Sequence, residues 1–205
     1  MTQAPSGGKT DRSVDGDAGG TLRPAGRTST VRAALAVFGG VALVMIILDQ
    51  WTKQLALDAL SDHRVIRWLG GVIYLDLTFN SGAAFSMGTS MTFVFTIIAI
   101  VVVAGILWFS RGLRSWPWAV ALGLLLGGAA GNLIDRLFRA PGPFQGHVVD
   151  FISVFAPAAE KFPIFNIADS ALTVGVALAF GLELFGLRRD GTRAVSRKSA
   201  SGSGD

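Results

Sequence analysis

Four runs of 18 to 20 residues dominate the chain: Val31–Leu48, Met91–Phe109, Trp116–Ile134 and Ala168–Leu187. Each is apolar and carries little or no charge. A helix of about 20 apolar residues crosses the hydrocarbon of a bilayer. No water is available there, so a lone spanning segment must satisfy its backbone internally, as a helix. Such a chain folds as a mainly α membrane protein with four transmembrane helices. Its overall balance agrees: 51% hydrophobic residues against 16% charged, with a mean hydropathy of +0.52, beyond the range of ordinary soluble domains. The third run is rich in glycine ("GLLLGGAAGN"), which lets membrane helices approach closely. Trp108, Trp116 and Trp118 flank the short turn before it, as interfacial aromatics do.

The segments outside the spans set the organisation. Residues 1–30 are Gly, Ser, Thr, Asp and Arg with almost nothing to bury, and read as a disordered tail without the form of a cleavable signal peptide. Residues 31–187 hold the four spans, and 188–205 form a second, basic tail. Of the 18 Lys and Arg, twelve fall in the two tails and the turn after the second span, all on one side of a four-span chain. The positive-inside rule places that side, with both termini, in the cytoplasm. The two longer loops, 49–90 and 135–167, then face outward. The net charge of +4 is thus a topology signal rather than a mark of nucleic-acid binding. With no Cys and two His, thiolate chemistry is excluded and a histidine-built metal site is not expected.

The polar residues that interrupt the apolar pattern gather on one face. Asp49 and Lys53 end the first span; Asn80 lies in the first outer loop; Asn132, Asp135 and Arg136 end the third span. Asp150 sits in the second outer loop, and Asn166 and Asp169 open the fourth span. The stretch "RVIRWLGGVIYLDLTFNSGAAFS", with Gly-Gly at a turn, predicts a small antiparallel sheet in the first outer loop. A short interfacial helix, "LALDALSD", precedes it. A sheet edge beside a cleft suits an extended peptide.

Acids beside a bilayer are costly and mark function by default. Two facing carboxylates cannot both ionise cheaply, so one keeps a proton; the pair then divides base and acid duties over a water. Asp150 and Asp169 are the candidates for such a dyad. For Asp169 helix capping is an equal reading, with Asn166 as N-cap and Asp169 three residues on. For Asp150 the alternative is a solvated loop acid, against which its apolar neighbours argue. Asp135 and Arg136 read as an interfacial ion-pair set. Asp49 and Lys53, four apart on one helix face, read as an anchoring pair, with a lipid phosphate as the alternative partner of Lys53. The serines Ser81, Ser86, Ser153 and Ser170 have only His147 as a candidate base, and Glu183 has no evident partner.

Five stretches carry a resemblance: "LDQWTK", "FNSGAAFS", "GGAAGNLIDR", "VVDFI" and "FNIADSAL". In this order, and in these positions relative to four spans, the chain resembles the bacterial lipoprotein signal peptidases (signal peptidase II) from about residue 33 to 187. The resemblance implies a membrane aspartic endopeptidase acting on prolipoproteins just before a diacylglyceryl-modified cysteine. It implies Asp150 and Asp169 as the catalytic dyad, with support from Asp49, Lys53, Asn80, Gly82, Ala84, Asn132, Asp135, Arg136, Asn166 and Ala168. It further implies a β-cradle formed by the first outer loop over the membrane surface. A bacterial inner-membrane location with the site at the outer leaflet, a monomer, and no metal or organic cofactor complete the expectation. The departures are the two tails and the extra residues of "RAPGPFQGH" before Asp150. A transporter is the main rival, because membrane acids also mark ion paths; the polar residues keep to one face, however, and the second span has no charge to continue a path. A scaffold that recruits a partner through the outer loop is the other rival.

Overall fold

The computed structural model describes the backbone of residues 26–82 and 89–193 and the side chains of 30–82 and 92–193. Both expected tails fall largely outside these residues, as do Ala84 and Ser86. Among the described residues four helices form: α1 (Gly26–Leu60), α2 (Thr89–Phe109), α3 (Trp116–Phe138) and α4 (Ile167–Leu184). All four are long and apolar enough to cross a membrane. Three strands accompany them: β1 (Ile66–Trp68), β2 (Ile73–Asn80) and β3 (Val148–Val154).

Helix α1 is longer than the sequence pattern indicates. The first span and the expected separate "LALDALSD" helix are one continuous element of 35 residues. Nothing between Asp49 and Leu60 breaks a helix: the stretch holds no Gly or Pro and is rich in Leu, Ala and Gln. At 1.5 Å per residue such a helix runs about 50 Å, against about 30 Å of hydrocarbon. Its final turns pack Ala56 and Leu60 against Phe151, with Leu75, Leu77, Ile152 and Ile167 around them. The overhang is therefore the platform on which the sheet rests.

The sheet also differs from expectation. It is antiparallel in the order β1-β2-β3, so it draws on both long loops rather than the first alone. Gly70 and Gly71 make the β1–β2 turn with φ of 68° and 97°, a conformation that glycine adopts without steric cost. In β2–β3 the partners include Ile73 with Val154, Thr78 with Asp150 and Asn80 with Val148, with a register irregularity between Leu75 and Thr78. Asp150 is thus a strand residue and buried, not a loop acid. Strand β3 is covered on both faces, and its apolar residues do not alternate with polar ones, so no period-two pattern reveals it.

Helix α3 is the axis of the bundle. Half of its apolar window is buried, against 11–17% for the other three helices. Large side chains such as Val101, Val174 and Phe180 point away from the bundle, as suits a surface facing lipid. Small residues bring the helices together. A Cβ on Gly123 would meet Val41 Cβ at 2.8 Å, one on Gly127 would meet Met45 Cβ at 2.6 Å, and one on Gly131 would meet Asp49 Oδ2 at 2.6 Å. These three, spaced by four, form the seam with α1. On the opposite side, a Cβ at Gly128 would meet the Ala168 carbonyl oxygen at 2.5 Å, and one at Gly175 would meet Leu125 Cγ at 2.9 Å.

At the far end from the sheet, Ala34, Phe38, Leu113, Trp118, Ala119 and Leu122 form a core. Trp118 belongs to it and donates its ring N–H to the Leu187 carbonyl at 2.6 Å. Of the three tryptophans near this turn, only Trp108 and Trp116 are exposed as interfacial residues should be.

The seam makes a prediction. Gly127→Val should force α1 and α3 apart and lower stability by about 1–3 kcal/mol. Gly105→Ala, on α2 with nothing within 4 Å of a new Cβ, should stay within about 1 kcal/mol of wild type. Thermal melting of both variants in detergent compares them; equal losses would refute the seam.

Candidate active site

The amide side chain of Asn166 joins the two candidate acids. Asn166 is the N-cap of α4, where its Oδ1 accepts the Asp169 backbone N–H at 2.9 Å. Asp169 Oδ2 in turn accepts the Asn166 backbone N–H at 3.2 Å. This is a reciprocal capping box, so capping and site membership fall to the same residue. The Asn166 Nδ2 group donates to Asp150 Oδ1 at 2.6 Å and also approaches Asn132 Oδ1 at 3.1 Å. Asn132 Nδ2 completes the circuit by donating to Asp169 Oδ1 at 2.8 Å. Asp150 Oδ2 accepts from Asn80 Nδ2 at 2.9 Å. Strand β3 and the start of α4 thus bring the two carboxylates together from 19 positions apart.

Asp150 is 1% exposed, yet it lines a cleft of about 480 Å³ whose walls include Phe79, Asn80, Ser81, Ala158 and Ile164. Burial pushes its carboxyl up to about 6. The Asn80 amide opposes that rise, the charge of Asp169 adds to it, and Asn166 and Lys53 oppose it. A carboxyl so placed holds its proton at mildly acidic pH, beside a second acid that accepts two N–H donors at a helix N-terminus. The two carboxyls thus sit in different environments, joined through the Asn166 and Asn132 amides.

A second layer holds the first in place. Lys53, fully buried, lies 2.8 Å from Asp49 Oδ2 and 2.8 Å from Asp135 Oδ2, both fully buried as well. It also donates to Asn132 Oδ1 at 2.9 Å. Each of these acids grips the backbone next to one of the two candidate acids: Asp49 Oδ1 accepts the Ala168 N–H at 3.0 Å, and Asp135 Oδ2 accepts the Val149 N–H at 3.2 Å.

Several expectations change. Asp49 and Lys53 do pair, but as a buried unit rather than a surface anchor, and Lys53 is enclosed away from any lipid phosphate. Asp135 does not pair with Arg136, because consecutive helix residues point in different directions. It pairs with Arg139 at 2.6 Å, one turn on. Arg136 instead lies over the Phe95 ring, with 5.9 Å to its centroid. Gly82 has φ of 82°, and a Cβ there would meet Phe95 at 2.7 Å; its N–H donates to Asn80 Oδ1 at 2.8 Å. Ser153 and Ser170 give their hydroxyl protons to the Ala156 and Asn166 carbonyls, which leaves neither poised against His147. Glu183 lines a separate cavity near Arg188 and Arg189 at the other end of the bundle. Sequence reasoning missed Gln50, which donates to Asp49, Asp135 and the Gly131 carbonyl at 3.1–3.2 Å. It also missed Arg139, although the four-residue spacing from Asp135 was a usable signal.

The layer makes a prediction. Lys53→Met retains the stem but leaves Asp49 and Asp135 without their shared cation. The loss expected for breaking a buried pair is about 3–5 kcal/mol, read from denaturation in micelles; a change below about 1 kcal/mol would contradict this account of the network.

The sequence profile described as "Signal peptidase (SPase) II" matches residues 41–185. A lipoprotein signal peptidase of Rhodococcus jostii is 46% identical, over 87% of this chain and 86% of the relative. One of Mycobacterium tuberculosis is 41% identical over 98% and 95%. Two solved structures, each described as a bacterial membrane enzyme, share 32% identity with the chain. The first superposes with a TM-score of 0.60 over 76% of this chain and 92% of that one; the second gives 0.58 over 70% and 90%. Five motif stretches in order, a site that gathers them, and relatives matched along most of their length agree: the chain is a multi-pass membrane protein and belongs to the signal peptidase II family, a family of aspartic endopeptidases.

Proposed function

We propose that this protein removes the signal peptide from diacylglyceryl-modified prolipoproteins, cleaving before the lipidated cysteine with Asp150 and Asp169 as the catalytic dyad. The observation that carries the reading is the double engagement of Asn166, which ties both carboxylates into one hydrogen-bonded circuit beside an open cleft. The sheet end carries six of the 18 basic residues, which supports an outer-leaflet site with cytoplasmic termini.

The proposed chemistry follows from the two environments. Asp169 serves as the base, held by the Asn132 amide, the Asn166 N–H and the helix N-terminus. Asp150 carries the proton. Water between them gives a proton to Asp169 as its oxygen bonds to the scissile carbonyl carbon, and Asp150 donates its proton to the carbonyl oxygen. In collapse the C–N bond breaks, Asp169 returns its proton to the leaving amine of the cysteine, and a hydroxyl proton goes back to Asp150. The cleft residues of β2 and the 158–164 loop would bracket the peptide, and the lipid would lie along the apolar helix surfaces.

Two predictions test this. Purified protein in detergent, with no ion gradient, should cleave a diacylglyceryl precursor. Asp150→Asn and Asp169→Asn should each lower kcat by at least about 10²–10⁴-fold, and wild-type turnover by either variant would overturn the assignment. Secondly, loss of the Asp150 proton removes the acid, so kcat/KM should fall on the alkaline side with a midpoint near pH 6. Asn80→Ala deletes a hydrogen bond that favours ionised Asp150, so that limb should move to higher pH; a shift downward would contradict the role given to Asn80.

A further inference from the structure

The extra residues that separate α3 from β3 supply a charge to the buried layer beneath the dyad. Arg139, at the C-cap of α3, donates its N–H to the Asp135 carbonyl at 2.9 Å. Its guanidinium Nε reaches Asp135 Oδ1 at 2.6 Å, and Nη2 reaches Gln50 Oε1 at 3.4 Å. The side chain is 23% exposed, while Asp135 is fully buried. The segment is folded back and pinned. The Gly146 and His147 N–H groups bond the Arg136 and Ala140 carbonyls at 3.0 Å. The Phe144 carbonyl accepts the Thr96 hydroxyl of α2 at 2.9 Å.

We propose that Arg139 is a positioning residue of the peptidase site, acting through Asp135 on the start of β3 and so on the place and charge of Asp150. Asp135 uses one carboxylate oxygen for Arg139 and Gln50, and the other for Lys53 and the N–H of Val149, the residue before Asp150. With Arg139 present, Asp49, Lys53, Asp135 and Arg139 sum to zero charge. Without it, the enclosed group carries one net negative charge close to Asp150, and Asp135 Oδ1 keeps the neutral Gln50 amide in place of a cation. A buried like charge disfavours ionisation of its neighbour. The other charged groups acting on Asp150 are Asp169 from α4 and Lys53 from α1, and Arg136 of α3 feels the charges of both Asp150 and Asp135; β2 faces it with the neutral Thr78 and Asn80.

This inference rests on the peptidase reading, and the test separates the two. Wild type, Asp150→Asn, Arg139→Gln and Arg139→Lys are assayed on a diacylglyceryl precursor in detergent, with rates expressed per folded molecule. Arg139→Gln should lower kcat by about 10- to 100-fold with KM within about twofold. It should also move the alkaline limb of kcat/KM up by roughly half to one pH unit. Arg139→Lys, which keeps the charge, should restore the limb. A purely structural contact would reduce the folded fraction and leave kcat per folded molecule and the limb alone. If the Gln variant does not fold, Arg139→Met, which keeps the apolar stem, is read in the same way. No cleavage by wild type would sink the peptidase reading itself. Active wild type and inactive Asp150→Asn, together with a wild-type limb and kcat in the Arg139 variants, would sink this inference alone.

Discussion

The ammonium of Lys53, enclosed between Asp49 and Asp135, is the interaction on which the site depends. A buried charge is tolerated only when paired and hydrogen-bonded on every side. Here the pairing also has geometric content, because each acid accepts, besides, a backbone N–H beside one of the two candidate catalytic acids. Asp49 fixes the first turn of α4 through Ala168, and Asp135 fixes the start of β3 through Val149. One cation therefore sets the separation of two segments that share no local connection. Its third hydrogen bond, to Asn132, orients the amide that in turn holds Asp169.

That arrangement requires α1 and α3 to lie very close, and the glycine seam provides the closeness. Gly131 leaves no room for a side chain where Asp49 stands. The carboxylate occupies the space that a Cβ would fill. Packing and electrostatics are thus two aspects of one crossing. On the other side of α3, Gly128 admits the first turn of α4, so α3 positions both neighbours at the height where the polar residues gather.

Much of this was legible before any coordinates. Span number follows from apolar run length, and the gathering of polar residues at one membrane face follows from where the spans end. The Asn166–Asp169 capping box is a local pattern and was readable as such. Strand β3 was not, because its pairing with β2 spans some 70 residues and its apolar run has no alternation to mark it. The continuity of α1 was masked by the polar residues among 49–54, which look like a span terminus, although Asp49 and Lys53 are fully buried by tertiary contact. Asp135 offered two basic neighbours, Arg136 and Arg139; only helix geometry decides between them, and it selects the second.

The overhang of α1 carries one further consequence. Each residue of a helix turns the next by about 100° and lifts it by 1.5 Å. Between Lys53, committed to the buried ion layer, and Leu60, committed to the underside of the sheet, the two ends of this segment answer to different partners. A single insertion or deletion there would rotate Leu60 and Ala56 off Phe151 while leaving Lys53 in place. Homologues that vary in length should therefore do so after Leu60, in the turn leading to β1, and hold the interval from 53 to 60 constant.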